Sequence, residues 1–222
     1  MNKLIFTIVS LIILNLSVCS NLRSTTTTPP ALTVYVESLC GDSARFASHS
    51  FKDLYNNVNR DQLISSVDFI AYGNAVEAED SVAGNRKFTC QHGPRECYGN
   101  NILSCASNHL SKDDSTRFTI CLFEKLFNNK EVDLSIATID CTLGYQLVLT
   151  CANSSEGDEL HHIDGTKTGV HENNYVPYII INGEHTKEYQ TEGEANITKL
   201  LCKYNSLVNV VPGCSEVIEL DQ

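Results

Sequence analysis

Cys40-Gly41-Asp42-Ser43 holds the densest chemistry in the chain. A thiolate attacks disulfides, and a cysteine forms one more readily at the first turn of a helix. Unpaired backbone N–H groups and the positive end of the helix dipole favour an anion there. An ordinary thiol of pKa ~8.5 is ionised to only about three parts in ten thousand at pH ~5, so thiol chemistry in an acidic compartment depends on such a setting. Asp42 opposes it, because a nearby carboxylate disfavours a second negative charge. Ser43 stands where it can donate a hydrogen bond to the sulfur, as a second cysteine would. It cannot resolve a disulfide: Cys-x-x-Cys expels its product with the second sulfur, whereas Cys-x-x-Ser stops at the mixed disulfide until another thiol arrives. The same tetrad is also compatible with a structural reading, in which Cys40 pairs with a distant cysteine and Ser43 only starts a helix.

Val176-Pro177 is the second place where backbone chemistry matters. A trans proline here would merely begin an edge strand. In thioredoxin-like domains a cis proline at the start of the strand opposite the nucleophile leaves the preceding backbone free to bind an extended substrate, which would make Val176 the substrate-facing residue. Spacing alone does not choose between them.

The remaining cysteines point to an oxidising compartment. Of ten, Cys19 lies in residues 1–20, which read as a cleavable export signal: Lys3, an apolar run from Leu4 to Val18, and a small-residue exit. That leaves Cys40, Cys90, Cys97, Cys105, Cys121, Cys141, Cys151, Cys202 and Cys214, an odd number of nine. Structural thiols pair off, so one is left over, and we expect it to be Cys40. The other eight allow 105 pairings. Asn153-Ser154-Ser155 and Asn196-Ile197-Thr198 are glycosylation sequons that fit export. Without its signal the chain carries 15 basic against 27 acidic residues, a balance that argues against nucleic acid or anionic lipid as a partner. No membrane anchor is expected after signal cleavage.

These residues need elements to position them. Residues 21–31, rich in threonine and proline, read as a tether. Leu32–Glu37 reads as a buried strand running into Cys40, followed by a helix carrying Phe46, Phe51, Leu54 and Tyr55, whose apolar positions keep no single stripe. Val67–Tyr72 is a second strand, and the crossover between the two is long enough for parallel pairing. From about 90 to 151 helical spacing and clustered cysteines predict a disulfide-stapled helical insertion. Ser154–Asn174 is polar and reads as a long loop, with His161 and His162 solvated in it. Val176–Ile181 is a strand closed by Asn182-Gly183, a strong hairpin signal, and a terminal helix is expected around Asn196–Tyr204. The class is α/β, with one domain over 32–214 and a short tail at 215–222.

Cys90-Gln91-His92-Gly93-Pro94-Arg95-Glu96-Cys97-Tyr98-Gly99-Asn100, followed by Cys105, fills every fixed position of the pattern CQHG, two residues, EC, two residues, N, four residues, C. With it the chain resembles the gamma-interferon-inducible lysosomal thiol reductase family, and the likeness extends from about Leu32 to Cys214. The resemblance implies a thioredoxin-like fold with a disulfide-bonded helical insertion, reduction of protein disulfides in endosomes or lysosomes, and a cis bond at Pro177. It maps the attacking cysteine onto Cys40 and the resolving cysteine onto Ser43. The expected reductant is then an external thiol, glutathione or free cysteine, with no other cofactor. His92 and Glu96 read as packing and turn residues of a disulfide-held loop. A zinc site from Cys90, His92, Cys97 and Cys105 is not expected, because oxidised cysteines cannot ligate, and no metal is expected elsewhere. The competing function is a secreted binding or covalent-trapping protein that keeps the fold without turnover.

Overall fold

The computed structural model describes residues 28–169, 175–204, 211, 212 and 214. The segment read as an export signal (1–20), most of that read as a tether (21–31) and the tail 215–222 lie outside the described residues. The chain is a helix-rich α/β protein built on a three-stranded mixed sheet. Its central strand, β1 (Ala31–Val36), is followed by helix α1 over residues 41–55, helix α2 (Arg60–Leu63) and strand β2 (Ser66–Ala71). β2 pairs parallel to β1, with Val34 opposite Phe69. On the other edge of β1 lies β5 (Tyr178–Ile181), antiparallel, with Val34 opposite Ile179, which gives the order β2-β1-β5. A two-stranded ribbon, β3 (Val76–Glu77) and β4 (Phe88–Thr89), stands apart. Between β4 and β5 come five helices, α3 (Pro94–His109), α4 (Lys112–Asn128), α5 (Leu134–Cys141), α6 (Tyr145–Ala152) and α7 (Ser155–Thr168), and α8 (Lys187–Lys203) follows β5.

Leu32, Val34 and Val36 of β1 are buried in one core with Phe46, Phe51 and Leu54 of α1, Phe118, Leu122 and Phe123 of α4, Ile179 and Ile181 of β5, and Ile197 and Leu201 of α8. The broken stripe of α1 has a structural cause. Residues Phe46–Phe51 form a π-helical turn between two α-helical pieces, so Phe46 and Phe51, five apart, both point inward. Asn182 and Gly183 take positive φ (51° and 82°), as the hairpin signal requires. The returning strand, however, amounts to one bridge between Ile181 and Glu184 before α8 begins. α8 itself starts at Lys187, well before the expected 196. Asn196 is instead a kink within it (φ −162°, ψ 93°), and its side-chain oxygen accepts from Lys199 N–H.

Two expectations are corrected. The segment Ser154–Asn174, read as a loop, is helix α7 up to Thr168, so the helical insertion runs past 151; residues 170–174 lie outside the described residues. The reading of His161 as solvated is overturned as well: its side chain is fully buried against Phe88 and Tyr72, with ring centroids at 4.3 and 5.0 Å. His162, half-buried, contacts Glu77 Oε2 at 2.7 Å.

Four disulfides brace the fold: Cys90–Cys97, Cys105–Cys151, Cys121–Cys141 and Cys202–Cys214. The second ties α3 to α6 and the third ties α4 to α5, so the insertion is stapled twice internally. No described helix is long and apolar enough to cross a membrane.

Candidate active site

Cys40 is the free cysteine among the described residues, half-buried. It caps the N-terminus of α1, with φ −69° and ψ 123°, and its carbonyl accepts from Ala44 N–H at 3.0 Å. The chain reaches that position through a tight turn at the end of β1, in which Cys40 N–H donates to Glu37 O at 3.2 Å. Ser38 anchors the turn: its N–H donates to Asn100 Oδ1 at 2.9 Å and its hydroxyl to Glu96 O at 3.0 Å. Gly99 makes this approach possible, because a Cβ there would stand 2.4 Å from Ser38 Oγ.

The sulfur contacts one polar group, the carbonyl oxygen of Val176, at 3.5 Å. The Val176–Pro177 bond is cis, so the alternative that spacing left open is settled in geometry. Pro177 is buried, and its carbonyl accepts from Gln190 Nε2 at 2.6 Å. Gln190 Oε1 accepts from Ile179 N–H, so one α8 side chain holds the backbone from the proline carbonyl to Ile179. Ser43 is fully buried, but it does not meet the sulfur as expected: its Oγ accepts from Glu37 N–H at 3.4 Å and braces the turn. Asp42 is paired with Arg45 at 3.0 Å on the exposed face.

A cavity of about 540 Å³ opens beside this turn, lined among others by Leu39, Gly41, Asp42, His92, Arg95 and Lys130. Lys130 Nζ lies over Gly41, 3.4 Å from where a Cβ would stand, so the approach to the thiol carries a cation as well as Asp42. Below the turn, Glu37 is buried, and desolvation pushes its carboxyl above the usual carboxylate range. The Asn74 N–H works against that shift and the neighbouring Glu96 adds to it. His92 bonds Glu96, with Nδ1 to Oε2 at 2.5 Å. Because Cys90, Cys97 and Cys105 are all in disulfides, a zinc site using them is ruled out. Both sequon asparagines are exposed. Asn153 donates to Tyr98 Oη and Leu149 O, while Asn196 sits at the kink of α8.

Sequence reasoning brought Cys40 and Val176-Pro177 forward, and the fold joins them across 136 residues. It missed Glu37, Lys130 and Gln190, which carry no local motif. Only the fold shows that they converge.

Among the described residues, fold and site together define a disulfide-braced α/β protein with one thiol, Cys40, held out of the disulfides at a helix N-terminus and facing a cis-proline peptide. Residues 31–145, over half of the chain, match the family model described as gamma interferon inducible lysosomal thiol reductase (GILT). Among similar proteins, a gamma-interferon-inducible lysosomal thiol reductase of Carassius auratus is 31% identical over 179 residues, spanning 78% of this chain and 68% of its own. GILT-like protein 1 of Drosophila melanogaster is 29% identical over 191 residues, 79% and 74% of the two chains. A gamma-interferon-inducible lysosomal thiol reductase-like protein of Anopheles gambiae is 28% identical over 204 residues, 84% and 79%. The chain belongs to the GILT family.

Proposed function

We propose that this chain is a thiol–disulfide oxidoreductase on a thioredoxin-like framework, reducing protein disulfides through a mixed disulfide at Cys40. The observation that carries this reading is the placement of the unpaired thiol of Cys40 against Val176 O at a cis proline. The parallel β1–α1–β2 unit with β5 antiparallel beside it and α8 beyond supports the framework.

The Cys40 thiolate attacks one sulfur of a substrate disulfide. A Cys40–substrate disulfide forms, and the other substrate sulfur leaves as a thiolate and takes up a proton. The backbone at Val176 lies beside an extended substrate strand and orients it. Ser43 carries no sulfur, so resolution falls to an external thiol such as glutathione or free cysteine. That thiol displaces the substrate sulfur from Cys40, and a second one releases Cys40 with formation of the oxidised external disulfide. Two substrate thiols and one external disulfide balance the cycle. The names of the relatives, the braced disulfides and the exposed Asn153 and Asn196 support a glycosylated protein of the endosomal–lysosomal or secreted route.

The test is alkylation of the native protein across pH ~4–9 with peptide mass spectrometry, followed by reduction of a disulfide-bonded protein at substoichiometric enzyme with and without glutathione. Label confined to Cys40 and glutathione-dependent turnover are expected. Stable mixed disulfides without turnover would establish a covalent trap instead, and an unreactive Cys40 would defeat both readings.

A further inference from the structure

Glu37 and Glu96 place two carboxylates in the interior, 1% and 0% exposed, against a single imidazole, that of His92. Glu96 is satisfied: Oε1 accepts from His92 N–H at 3.0 Å and Oε2 meets His92 Nδ1 at 2.5 Å. Glu37 is satisfied on one side only. Its Oε1 accepts from Asn74 N–H at 2.7 Å, while Oε2 has no hydrogen-bond partner and points toward His92 Nδ1 at 3.6 Å. Neither carboxylate has a lysine or arginine partner among the described residues. A bare buried carboxylate oxygen is expensive unless something positive meets it.

From this arrangement we infer that Glu37, His92 and Glu96 form a binding site for one divalent transition cation of the zinc or manganese kind. Oxygen donors with one imidazole suit such an ion better than magnesium or calcium, which take oxygen ligands alone. The three donor atoms lie within 4.8 Å of one another. Ligands bound at ~2.0–2.2 Å to one ion stand about 3–4 Å apart. The His92–Glu37 pair already falls in that range, and a small rotation of the half-exposed imidazole opens the short contact to Glu96. Two carboxylates also neutralise a doubly charged ion. Because His92 lines the cavity beside Cys40, the site has a route of access from solvent. The thiol is not a ligand in this arrangement, so the inference stands whether or not Cys40 carries a redox reaction.

The test uses the full native protein, stripped with chelator and titrated with zinc chloride by calorimetry at neutral pH. A parallel titration with cobalt chloride reads visible absorption, and both are run before and after Cys40 is capped with iodoacetamide. Saturable binding of one equivalent that survives capping is expected, weakened at least tenfold in Glu37→Gln and in His92→Gln. Glu37→Gln keeps the Asn74 contact. Should that variant not fold, His92→Gln, altering a half-exposed side chain, decides the matter. Absence of one-equivalent binding to the folded native protein overturns the inference. So does binding that disappears on capping Cys40, or that is unchanged in His92→Gln.

Discussion

His161 should make this protein less stable as the pH falls, and one substitution isolates the effect. Its imidazole is fully buried, and loss of solvation pulls its pKa from 6.5 down to about 4. The hydrogen-bond network works in the same direction. Asn100 spends its Oδ1 on Ser38 N–H and presents Nδ2 to His161 Nε2 at 3.5 Å, so Nε2 is the acceptor and the proton sits on Nδ1, which has no partner. A second proton would set two donors face to face. The unfolded chain takes up this proton near 6.5 and the folded chain only near 4, so between those values the unfolded state binds more protons and stability falls with pH. Linkage gives a loss of roughly 2 kcal/mol between pH 7.5 and 5, and roughly 3 kcal/mol once both states are protonated. For a domain of this size that corresponds to about 4–8 °C in Tm on reaching pH 5. Urea denaturation at pH 7.5, 6 and 5, disulfides intact, should give a pH slope in the native protein that His161→Gln flattens by that amount. Baseline stability of the variant is irrelevant, because only the difference in slope is read. Parallel curves for the two proteins would refute the reasoning.

Other outcomes follow from the same geometry. Ser43→Cys supplies a second sulfur which, once its side chain turns from Glu37 N–H toward Cys40, should release substrate from the mixed disulfide in a single turnover without glutathione, while repeated turnover should still consume glutathione to reopen the new disulfide. Gly73→Ala would set a Cβ 2.3 Å from Glu37 Cγ at a residue with φ 58°, and should cost about 1–3 kcal/mol in urea titrations. Replacing Cys105 and Cys151 together by alanine opens a crosslink spanning 46 residues and should cost ~4 kcal/mol, read as a shift of the urea midpoint.

The sequence made legible what is written in apolar periodicity and in covalent chemistry. β1 and β2 fall within a residue of their expected limits because their β-branched runs are buried; nine cysteines cannot all pair, and the one left over is Cys40, the residue expected from its place at the start of a helix. Helix α7 escaped for a physical reason. Its buried positions are Gly157, His161, Asp164 and Thr168, which keep helical spacing but are small or polar. Their partners are side chains of α3: Ser104 donates to Asp164 Oδ2 at 2.7 Å, Asn101 to Asp158 Oδ1 at 2.9 Å, and Asn100 faces His161. A helix docked through hydrogen bonds leaves no hydrophobic stripe to read. The π-helical turn of α1 hid a continuous face in the same way, by moving its apolar residues to a five-residue spacing.

That polar interface bears on why the densest motif in the chain lies away from the nucleophile. The disulfide Cys90–Cys97 closes the loop holding His92 and fixes the start of α3. From there Glu96 gives its carbonyl to the Ser38 hydroxyl, Gly99 leaves room for that side chain, and Asn100 receives the Ser38 N–H. Cys105 bolts the same helix to α6. Residue by residue, the motif grips the turn two positions before Cys40, while Ser43 grips it from the other side through Glu37 N–H. A thiol facing Val176 O across 136 residues of chain needs both walls held independently, and Gln190 does for Pro177 what Asn100 does for Ser38. The reading has a direct consequence: Asn100→Ala, which removes the Ser38 acceptor and the His161 contact together, should disturb alkylation of Cys40 even though it touches neither the sulfur nor the cis proline.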